Sequence, residues 1–290
     1  MEIAPRPQVM SEMLPGRHFI NAGPFSRNQF FAALVVVGFA NGIGEKLASQ
    51  LEGQGLVLAV FDTFGISVIV WSAAVIAIVM LLRAEPQPIG AVDFAVAALT
   101  SVAFLVPVPS LSWLAISGLA VYLSISRQSS RAFARAGAVL LAMTIPMFWA
   151  RLLLAATSNI VLEVDAALVS QIVGTDSAAN TVPLADGSGL LFFEPACSSL
   201  SNVSIAILCA VLFVKVYDLS WSAGTIFIGV LACAAAIVIN VVRMGLIGLY
   251  PDYYWLIHGP IGASFAGWLS LAAILGICFG GMRPNAPAPV

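Results

Sequence analysis

Apolar residues occur in long runs along the chain, and short polar stretches separate these runs. A helix needs about 20 residues to cross a hydrocarbon core of about 30 Å, because each residue adds about 1.5 Å. The pattern therefore predicts an all-α integral membrane protein with about eight transmembrane helices. The predicted spans are residues 29–47, 56–82, 91–106, 110–126, 133–155, 197–216, 223–246 and 261–281.

The longest stretch between predicted spans covers residues 156–196 and joins the fifth span to the sixth. Its first half has helical apolar spacing, which predicts a helix that lies at the membrane interface or extends the fifth span. The predicted apolar face consists of Ile160, Val161, Val164, Leu168 and Ile172. In its second half, residues 181–184 and 190–193 flank a Gly-rich turn and predict a β-hairpin. We expect this stretch to form a small extracytoplasmic cap.

These elements divide the chain into five parts. In chain order they are an N-terminal tail, a five-helix transmembrane half, the cap, a three-helix half and a C-terminal tail, at residues 1–28, 29–155, 156–196, 197–282 and 283–290. Pro146 lies inside the fifth span. Membrane helices tolerate such a proline because neighbouring groups satisfy the freed backbone.

Composition agrees with a membrane location. The chain is 60% hydrophobic and 9% charged, with a mean hydropathy of +1.01, whereas soluble domains are about 45–50% apolar and 25% charged. A lipid bilayer is the expected surrounding, and the net charge of −2 gives no reason to expect a nucleic-acid partner. No Gly-rich phosphate loop or zinc-site spacing occurs, so we expect no cofactor and no metal. The first thirty residues also lack the pattern of a cleavable signal peptide.

The distribution of Lys and Arg predicts the orientation, because cytoplasmic loops retain positive charge. If the N-terminus is inside, nine basic residues fall on the cytoplasmic side, namely Arg6, Arg17, Arg27, Arg83, Arg127, Arg131, Arg135, Lys215 and Arg283. Three fall on the opposite side, namely Lys46, Arg151 and Arg243. Both termini are then cytoplasmic, and the cap lies outside.

A cysteine stands where the cap becomes the sixth span. Residues 193–200 read FEPACSSL, and Glu194 followed by Pro195 is a helix-start signal that places Cys197 in the first helical turn. Unpaired N–H groups and the helix dipole favour a thiolate at such a position. Cys197 is therefore a candidate nucleophile, with Glu194 and Ser198 as supporting neighbours. The alternative is a buried structural cysteine, since free cysteines are among the most buried residues.

The remaining cysteines favour the reactive interpretation. Cys209 lies about 18 Å along the sixth span from Cys197, Cys233 lies in the middle of the seventh span, and Cys278 lies near the cytoplasmic end of the eighth. None can bring its Cα within the roughly 7 Å that a disulfide requires. Cys197 is thus predicted to be an unpaired thiol facing an oxidising compartment, where structural thiols are usually paired.

Two further polar residues are predicted at the same membrane surface. Arg243 lies near the external end of the seventh span, with Asn240 one turn away on the same helix face. His258 lies just before the eighth span. The alternatives are that Arg243 snorkels to the interface and that His258 belongs to an aromatic interfacial belt.

A thiol, an imidazole and a guanidinium at one site suit acyl transfer from an amide. The thiolate attacks, the imidazole exchanges protons and the guanidinium stabilises the oxyanion. The acceptor could be water or an amine, and the three residue types do not decide between them.

At these residues the chain resembles the exosortase/archaeosortase family of multi-spanning membrane cysteine transpeptidases. The family's nucleophile motif reads approximately ACSGLRSL, and residues 196–203 match it at Ala, Cys, Ser and Leu, with Ser199 in place of Gly and Ser201 in place of Arg. The family's N-x-x-R matches Asn240 to Arg243, and its later His followed by Gly matches His258 and Gly262.

The resemblance implies that Cys197 is the nucleophile, Arg243 the transition-state stabiliser and His258 the acid and base. It further implies an enzyme of the bacterial inner membrane whose active site is extracytoplasmic. The implied substrate is an exported protein with a C-terminal sorting signal of the PEP-CTERM kind, which consists of a short motif, one transmembrane helix and a basic tail.

Two other functions remain open. One is a membrane transporter, although such proteins concentrate ionisable groups near the midplane, where these spans are almost entirely apolar. The other is a non-catalytic subunit of envelope or exopolysaccharide biogenesis. A subunit without activity would be expected to lose one of the three polar residues, and this chain has all three.

Overall fold

A computed structural model of the protein describes residues 26–126 and 129–282. Most of the predicted N-terminal tail, the predicted C-terminal tail and the side chains of Arg6, Arg17, Arg127 and Arg283 lie outside the described residues. Within those ranges the helices are α1 (Arg27–Phe61), α2 (Val68–Leu82), α3 (Ala91–Leu105), α4 (Pro109–Ile125), α5 (Arg131–Thr144), α6 (Ala150–Val173), α7 (Ser199–Val216), α8 (Ala223–Leu249), α9 (Tyr254–His258) and α10 (Pro260–Gly281). The strands are β1 (Thr181–Pro183) and β2 (Leu190–Phe192).

Five helical segments of the described chain are long and apolar enough to cross a membrane. They are α1, the continuous segment Arg131–Val173, α7, α8 and α10. The segments predicted as spans two, three and four are shorter apolar helices, α2 to α4, of 15, 15 and 17 residues. The helical membrane-protein class is therefore supported, whereas only five of the eight predicted spans have full spanning length.

The second predicted span begins in the wrong place. Helix α1 continues to Phe61, with a break at Gly55, where φ is 76° and ψ is 168°. Glycine adopts this conformation without the steric penalty of a side chain. Residues 56–61 therefore follow α1 through this break, and α2 begins only at Val68.

The fifth predicted span contains Pro146 without ending there. Pro146 lies in a single π-helical turn, Ile145–Trp149, which joins α5 to α6. Helix α6 then continues to Val173, with a non-helical Thr157 inside it. The part of α6 after Thr157 forms the helix predicted for the first half of the cap.

The predicted apolar face of this helix is not the face that is buried inside the protein. Ile160, Val164 and Ile172 are exposed. The buried positions lie on another face and are Leu162, Asp165, Ala166, Val169 and Val173. Helix α8 selects this face, because a Cβ on Gly248 would lie 2.5 Å from Cγ2 of Val173, so α6 can pack closely there.

The predicted hairpin is confirmed. β1 and β2 are antiparallel, with Thr181 opposite Phe192. At its turn, the Ser188 hydroxyl and amide donate to Asp186, and these hydrogen bonds hold the pKa of that carboxyl below its ordinary value. The hairpin, α6 and α8 share one apolar cluster, which we call the cap core. It comprises Leu162, Ala166, Val169, Val173, Val182, Leu191, Phe193, Val241, Met244 and Ile247.

The opposite end of the bundle is closed by polar contacts. Arg27 at the start of α1 forms an ion pair with Asp93 of α3, at 2.9 Å between Nε and Oδ1. Arg135 of α5 donates to the carbonyls of Lys215 and Val216 at the end of α7. We call this end of the bundle the Arg27 end, and the end that carries the cap core the Cys197 end.

Candidate active site

Cys197 lies just outside α7 rather than in its first turn. Pro195–Cys197 is a 3-10 turn, and the Cys197 amide donates to the Glu194 carbonyl at 2.8 Å. Ser198 is the N-cap of α7, and its hydroxyl accepts a hydrogen bond from the Leu200 amide at 3.2 Å. The reason for the difference is that Ser198 is a better N-cap than Glu194, since a serine hydroxyl satisfies a first-turn N–H. The half-buried thiol therefore precedes the helix N-terminus by one residue.

Ser198 and Glu194, the predicted supporting neighbours of Cys197, make different contacts. Ser198 is buried and fixes the start of α7 through its side chain. The Glu194 side chain is exposed, and this residue contacts the site only through its main-chain carbonyl.

Asn240 connects α8 directly to the candidate nucleophile. Its Nδ2 donates to the Cys197 carbonyl at 2.9 Å and to the Ser199 hydroxyl at 3.1 Å. Both N–H groups of the amide are then used. The Asn240 side chain therefore fixes the backbone on which the thiol is carried.

A carboxylate of the cap extension completes this network. Asp165 of α6 is 4% exposed, and its Oδ2 accepts a hydrogen bond from the Ser199 amide at 2.9 Å. A negative charge at a helix N-terminus is favourable, because the orphan N–H groups carry partial positive charge. Asp165 and Asn240 thus hold residues 197–199 from two different helices.

Arg243 holds the segment that carries the histidine. Its Nε donates to the Ile257 carbonyl and its Nη2 to the His258 carbonyl, both at 3.2 Å. These carbonyls belong to the last turn of α9, where helix carbonyls lack partners within the helix. Of the five N–H groups of a guanidinium, two are used and three remain for other acceptors. No carboxylate pairs with Arg243 in the part of the chain that the structure describes.

Two glycines allow the chain to turn tightly after the histidine. A Cβ on Gly262 would lie 2.2 Å from the Ile257 carbonyl oxygen, and a Cβ on Gly259 would lie 2.2 Å from that of Trp255. Side chains at these positions would displace the last turn of α9. Gly262 and Arg243 therefore act on the same Ile257 carbonyl.

The imidazole of His258 stacks on the ring of Tyr254. The ring centroids are 4.9 Å apart and the planes are 9° from parallel. Among the described residues, no hydrogen bond joins this imidazole to the Cys197 thiol. Two groups that act in one reaction can lie apart before substrate binds, because catalytic hydrogen bonds are often long or poorly aligned in that state.

The cap core contacts both the Cys197 segment and the His258 segment. Cys197, Tyr254 and Ile257 all pack against it. An apolar cavity of about 340 Å³ lies beside Arg243, between α8, α9 and the start of α10. Of the predicted residues, Ser198 and Asn240 adjoin Cys197, and Arg243 adjoins His258.

Three residues of this site were not predicted from the sequence. Asp165 and Ser199 belong to the network that holds Cys197, and Tyr254 supports the His258 ring. Asp165 stands between Val164 and Ala166 in a mostly apolar helical stretch, but Glu163 is acidic too and nothing local distinguishes the two. The partner of Asp165 lies 34 positions later, and no local pattern indicates that pairing.

The other cysteines lie away from this site. Cys209 and Cys278 are buried in the main core, and Cys233 is partly buried beside it. No group of three or more His, Cys, Asp or Glu side chains is placed to hold a metal ion in residues 26–126 and 129–282.

Comparisons with protein-family models, curated proteins and solved structures gave no match to this chain.

Proposed function

We propose that the protein is an exosortase-like membrane cysteine transpeptidase. It cleaves the C-terminal sorting signal of exported proteins through an acyl-enzyme on Cys197. The proposal rests on the motif resemblance together with the geometry of the site. Its substrate is a protein with a short motif of the PEP-CTERM kind, a transmembrane helix and a basic tail.

One observation carries the proposal. Asn240 and Arg243, one turn apart on α8, bind the main chain of the two residues that acyl transfer needs. The Asn240 amide binds the Cys197 carbonyl, and the Arg243 guanidinium binds the His258 carbonyl. Snorkelling by Arg243 and membership of His258 in an aromatic belt do not by themselves account for this pair of contacts.

The proposed reaction begins with the Cys197 thiolate attacking the carbonyl carbon of the scissile amide. A C–S bond forms, and the carbonyl oxygen becomes an oxyanion that the remaining Arg243 N–H groups stabilise. The C–N bond then breaks, and His258 gives a proton to the leaving amine. Water or an amine next attacks the thioester, His258 removes its proton, and the thiolate leaves.

The proposed topology places the Cys197 end outside the cytoplasm of a bacterial inner membrane. The charge distribution supports this orientation. Among the described residues, Arg27, Arg83, Arg131, Arg135 and Lys215 lie towards the Arg27 end, and Lys46, Arg151 and Arg243 lie towards the other. In this arrangement α2, α3 and α4 cross the membrane together with the five longer segments. Short helices can do so where the bilayer thins locally.

The test is cleavage of a reporter in cells. The reporter carries an exported domain, a Pro-Glu-Pro motif, an apolar helix of about 20 residues and an Arg-rich tail. We expect the wild-type protein to shorten the reporter, and Cys197→Ala to reduce cleavage by at least about 10³-fold while inserting normally. Cys209→Ala is the matched control and should retain cleavage.

Three outcomes would contradict the proposal. Cleavage that persists in Cys197→Ala but fails in Cys209→Ala would show that Cys197 is not the nucleophile. A wild-type protein that binds the reporter without cleaving it would favour a non-catalytic subunit. Labelling of Cys197 by an impermeant reagent only from the cytoplasm would show that the orientation is opposite to the proposed one.

A further inference from the structure

A second cavity, of about 520 Å³, lies at the Cys197 end between α1, α4 and α6. Its walls are the second half of α1, the start of α4 and the π-helical turn that leads into α6. We call it the cationic cavity, and its defining residues are Glu45, Lys46, Ser110, Trp113, Phe148 and Arg151. The contacts of the candidate active site do not use any of these residues.

Two positive side chains of this cavity have no ion-pair partner in residues 26–126 and 129–282. Neither Lys46 nor Arg151 makes an ion pair or a side-chain hydrogen bond with a described residue. The two charges repel each other, and for Lys46 this repulsion exceeds the attraction of the Asp62 carboxylate. Glu45 also lines the cavity, but it is exposed and pairs with neither cation. Because Lys46 is half-buried and an unpaired charge away from water is costly, an anion from outside the chain would be favourable here.

Both cations lie at the level of lipid headgroups. Helix α1 and the continuous segment Arg131–Val173 each begin at the Arg27 end. Lys46 is 19 residues along the first and Arg151 is 20 residues along the second, which is about 28 and 30 Å at 1.5 Å per residue. A hydrocarbon core is about 30 Å thick. The two charges therefore reach the opposite membrane surface, where the phosphate groups of lipids lie.

The floor of the cavity is preformed. Trp113 of α4 is 2% exposed, and its Nε1 donates to the Gly42 carbonyl of α1 at 3.0 Å. A Cβ on Gly42 would lie 2.9 Å from Cε2 of the same indole, so the two helices are in close contact. The position of this aromatic floor is thus set by the protein and does not require an occupant.

The π-helical turn supplies an apolar wall beside the charges. Met147 and Phe148 belong to the turn Ile145–Trp149, and both line the cavity. Single π-helical turns inside α-helices occur frequently at functional sites. Arg151 follows this wall by less than one helical turn. Apolar surface and positive charge therefore border the same space, which is the arrangement that an amphiphilic anion requires.

The start of α4 adds hydrogen-bond donors to the two cations. Helix α4 begins at Pro109 without a side-chain cap. Ser110, the next residue, lines the cavity, and its hydroxyl makes no hydrogen bond with a described residue. A phosphate group has several acceptor oxygens, so it can accept from this hydroxyl while it also pairs with Lys46 and Arg151.

We infer that the cationic cavity binds the phosphate group of an anionic lipid, whose chains lie along the wall formed by Met147 and Phe148. Inorganic phosphate would neutralise the two charges but would leave the apolar wall uncovered. An uncharged lipid would cover the wall but would leave the charges unpaired. In the proposed topology the lipid comes from the extracytoplasmic leaflet. Binding does not require that the protein cleaves a substrate.

The test is lipid binding by the purified full chain in an uncharged detergent. The probes are phosphatidylglycerol, a diacylglycerol with the same chains, and inorganic phosphate. A ligand that binds the folded state raises the unfolding temperature in a concentration-dependent way. We expect phosphatidylglycerol to do so, diacylglycerol not to, and inorganic phosphate to bind at least about tenfold more weakly than the lipid.

Neutralising the two cations should remove this binding. We expect Lys46→Gln combined with Arg151→Gln to weaken phosphatidylglycerol binding at least about tenfold. The matched control combines Arg83→Gln with Arg131→Gln, which removes two exposed cations at the Arg27 end and should change the affinity less than about twofold. An equal loss in both double variants would overturn the inference, because it would indicate general charge attraction.

A second pair of variants tests the cavity without removing either cation. Glu45→Lys replaces the carboxylate of the lining by a third positive charge, whereas Glu52→Lys makes the same change at an exposed position of α1 outside the cavity. We expect tighter phosphatidylglycerol binding in Glu45→Lys than in Glu52→Lys. Equal affinities of these two variants would overturn the inference.

The probes themselves also decide the chemistry of the occupant. Inorganic phosphate that binds as tightly as phosphatidylglycerol would overturn the assignment to a lipid. A response of the wild-type protein to diacylglycerol as large as that to phosphatidylglycerol would show that the two charges are not used. Reporter cleavage is not measured in any of these experiments, so their failure would leave the proposed function intact.

Discussion

Two arginines at opposite ends of the bundle are held in different ways. Arg27 is 0% exposed, pairs with the Asp93 carboxylate and also donates to Gln87 and Ser126. The Phe133 ring lies 4.7 Å from its guanidinium carbon. Arg243 is half-buried, makes no ion pair with a described carboxylate, and donates to the main-chain carbonyls of Ile257 and His258.

The difference separates a structural charge from one that is available for chemistry. The charge of Arg27 is neutralised by Asp93, and side chains from three helices enclose it. The charge of Arg243 remains uncompensated beside an apolar cavity, where a developing negative charge would be strongly stabilised. Four sets of variants test this distinction.

The largest effect on stability is expected at the Arg27 end. Asp93→Asn removes the carboxylate charge but leaves Arg27 buried, which should lower the free energy of unfolding by about 3–5 kcal/mol. Asp218→Asn is the control, since its partners Arg131 and Arg135 are partly exposed and such pairs contribute about 0–1 kcal/mol. Unfolding in detergent measures both. Equal stability of the two variants would show that the Arg27 ion pair is not a structural requirement.

The next largest effect is expected on reporter cleavage, when Arg243 at the Cys197 end is replaced. Arg243→Lys keeps the charge but loses the planar fork that bridges two carbonyls. We expect reporter cleavage to fall about 10²–10³-fold, with little change in unfolding. Arg135→Lys is a close control, because Arg135 also binds two consecutive helix-end carbonyls. A similar loss of cleavage in both variants would indicate that Arg243 serves only to close a helix end.

A smaller effect on cleavage is expected at Gly262, which lies against the Ile257 carbonyl that Arg243 binds. Gly262→Ala introduces a Cβ that would lie 2.2 Å from the Ile257 oxygen, so the segment before His258 must shift. A misplacement of about 1 Å can reduce a rate by up to about 10²-fold. We expect a loss of cleavage in Gly262→Ala that Gly276→Ala does not show. Wild-type cleavage by Gly262→Ala would mean that the position of His258 is unimportant.

The smallest effect is expected on the reactivity of the thiol itself. No described hydrogen bond joins His258 to Cys197 in the free protein, and the imidazole stacks on Tyr254. We therefore expect His258→Ala to leave alkylation of Cys197 close to the wild-type rate while impairing reporter cleavage, since the leaving amine then lacks its proton donor. The measurements are the iodoacetamide alkylation rate and reporter cleavage, with Tyr254→Phe as a control that keeps the stacked ring. Normal cleavage by His258→Ala would assign His258 to the aromatic belt and place the base elsewhere.

Local patterns predicted much of the architecture. The hairpin follows from two short apolar segments around a Gly-rich turn, and the continuation of the fifth span through Pro146 follows from the tolerance of membrane helices for proline. The pairing of Asn240 with Arg243 on one face follows from the helical repeat. Each of these features depends on residues that are close together in the sequence.

Features that depend on distant residues were predicted less well. Helical spacing indicated an apolar face of α6 but not the face that packs inside the protein, which α8 and the hairpin select and which contains Ala166 and Asp165. The start of α2 was placed too early, because residues 56–61 are apolar enough for either helix. The break at Gly55 and the turn at Thr63 and Phe64 decide between them.

The sequence by itself determined that this chain forms apolar helices, and that a cysteine, an arginine and a histidine lie near helix ends. These properties depend on hydrophobicity and helical periodicity, which are local. The tertiary structure decided which backbone each polar side chain holds: Asn240 holds Cys197, and Arg243 holds His258. It also decided that Asp165 of α6 accepts a hydrogen bond from the Ser199 amide, 34 positions later in the chain. Hydrogen bonds across helices require particular distances and orientations, and only the packing of all the helices together sets these.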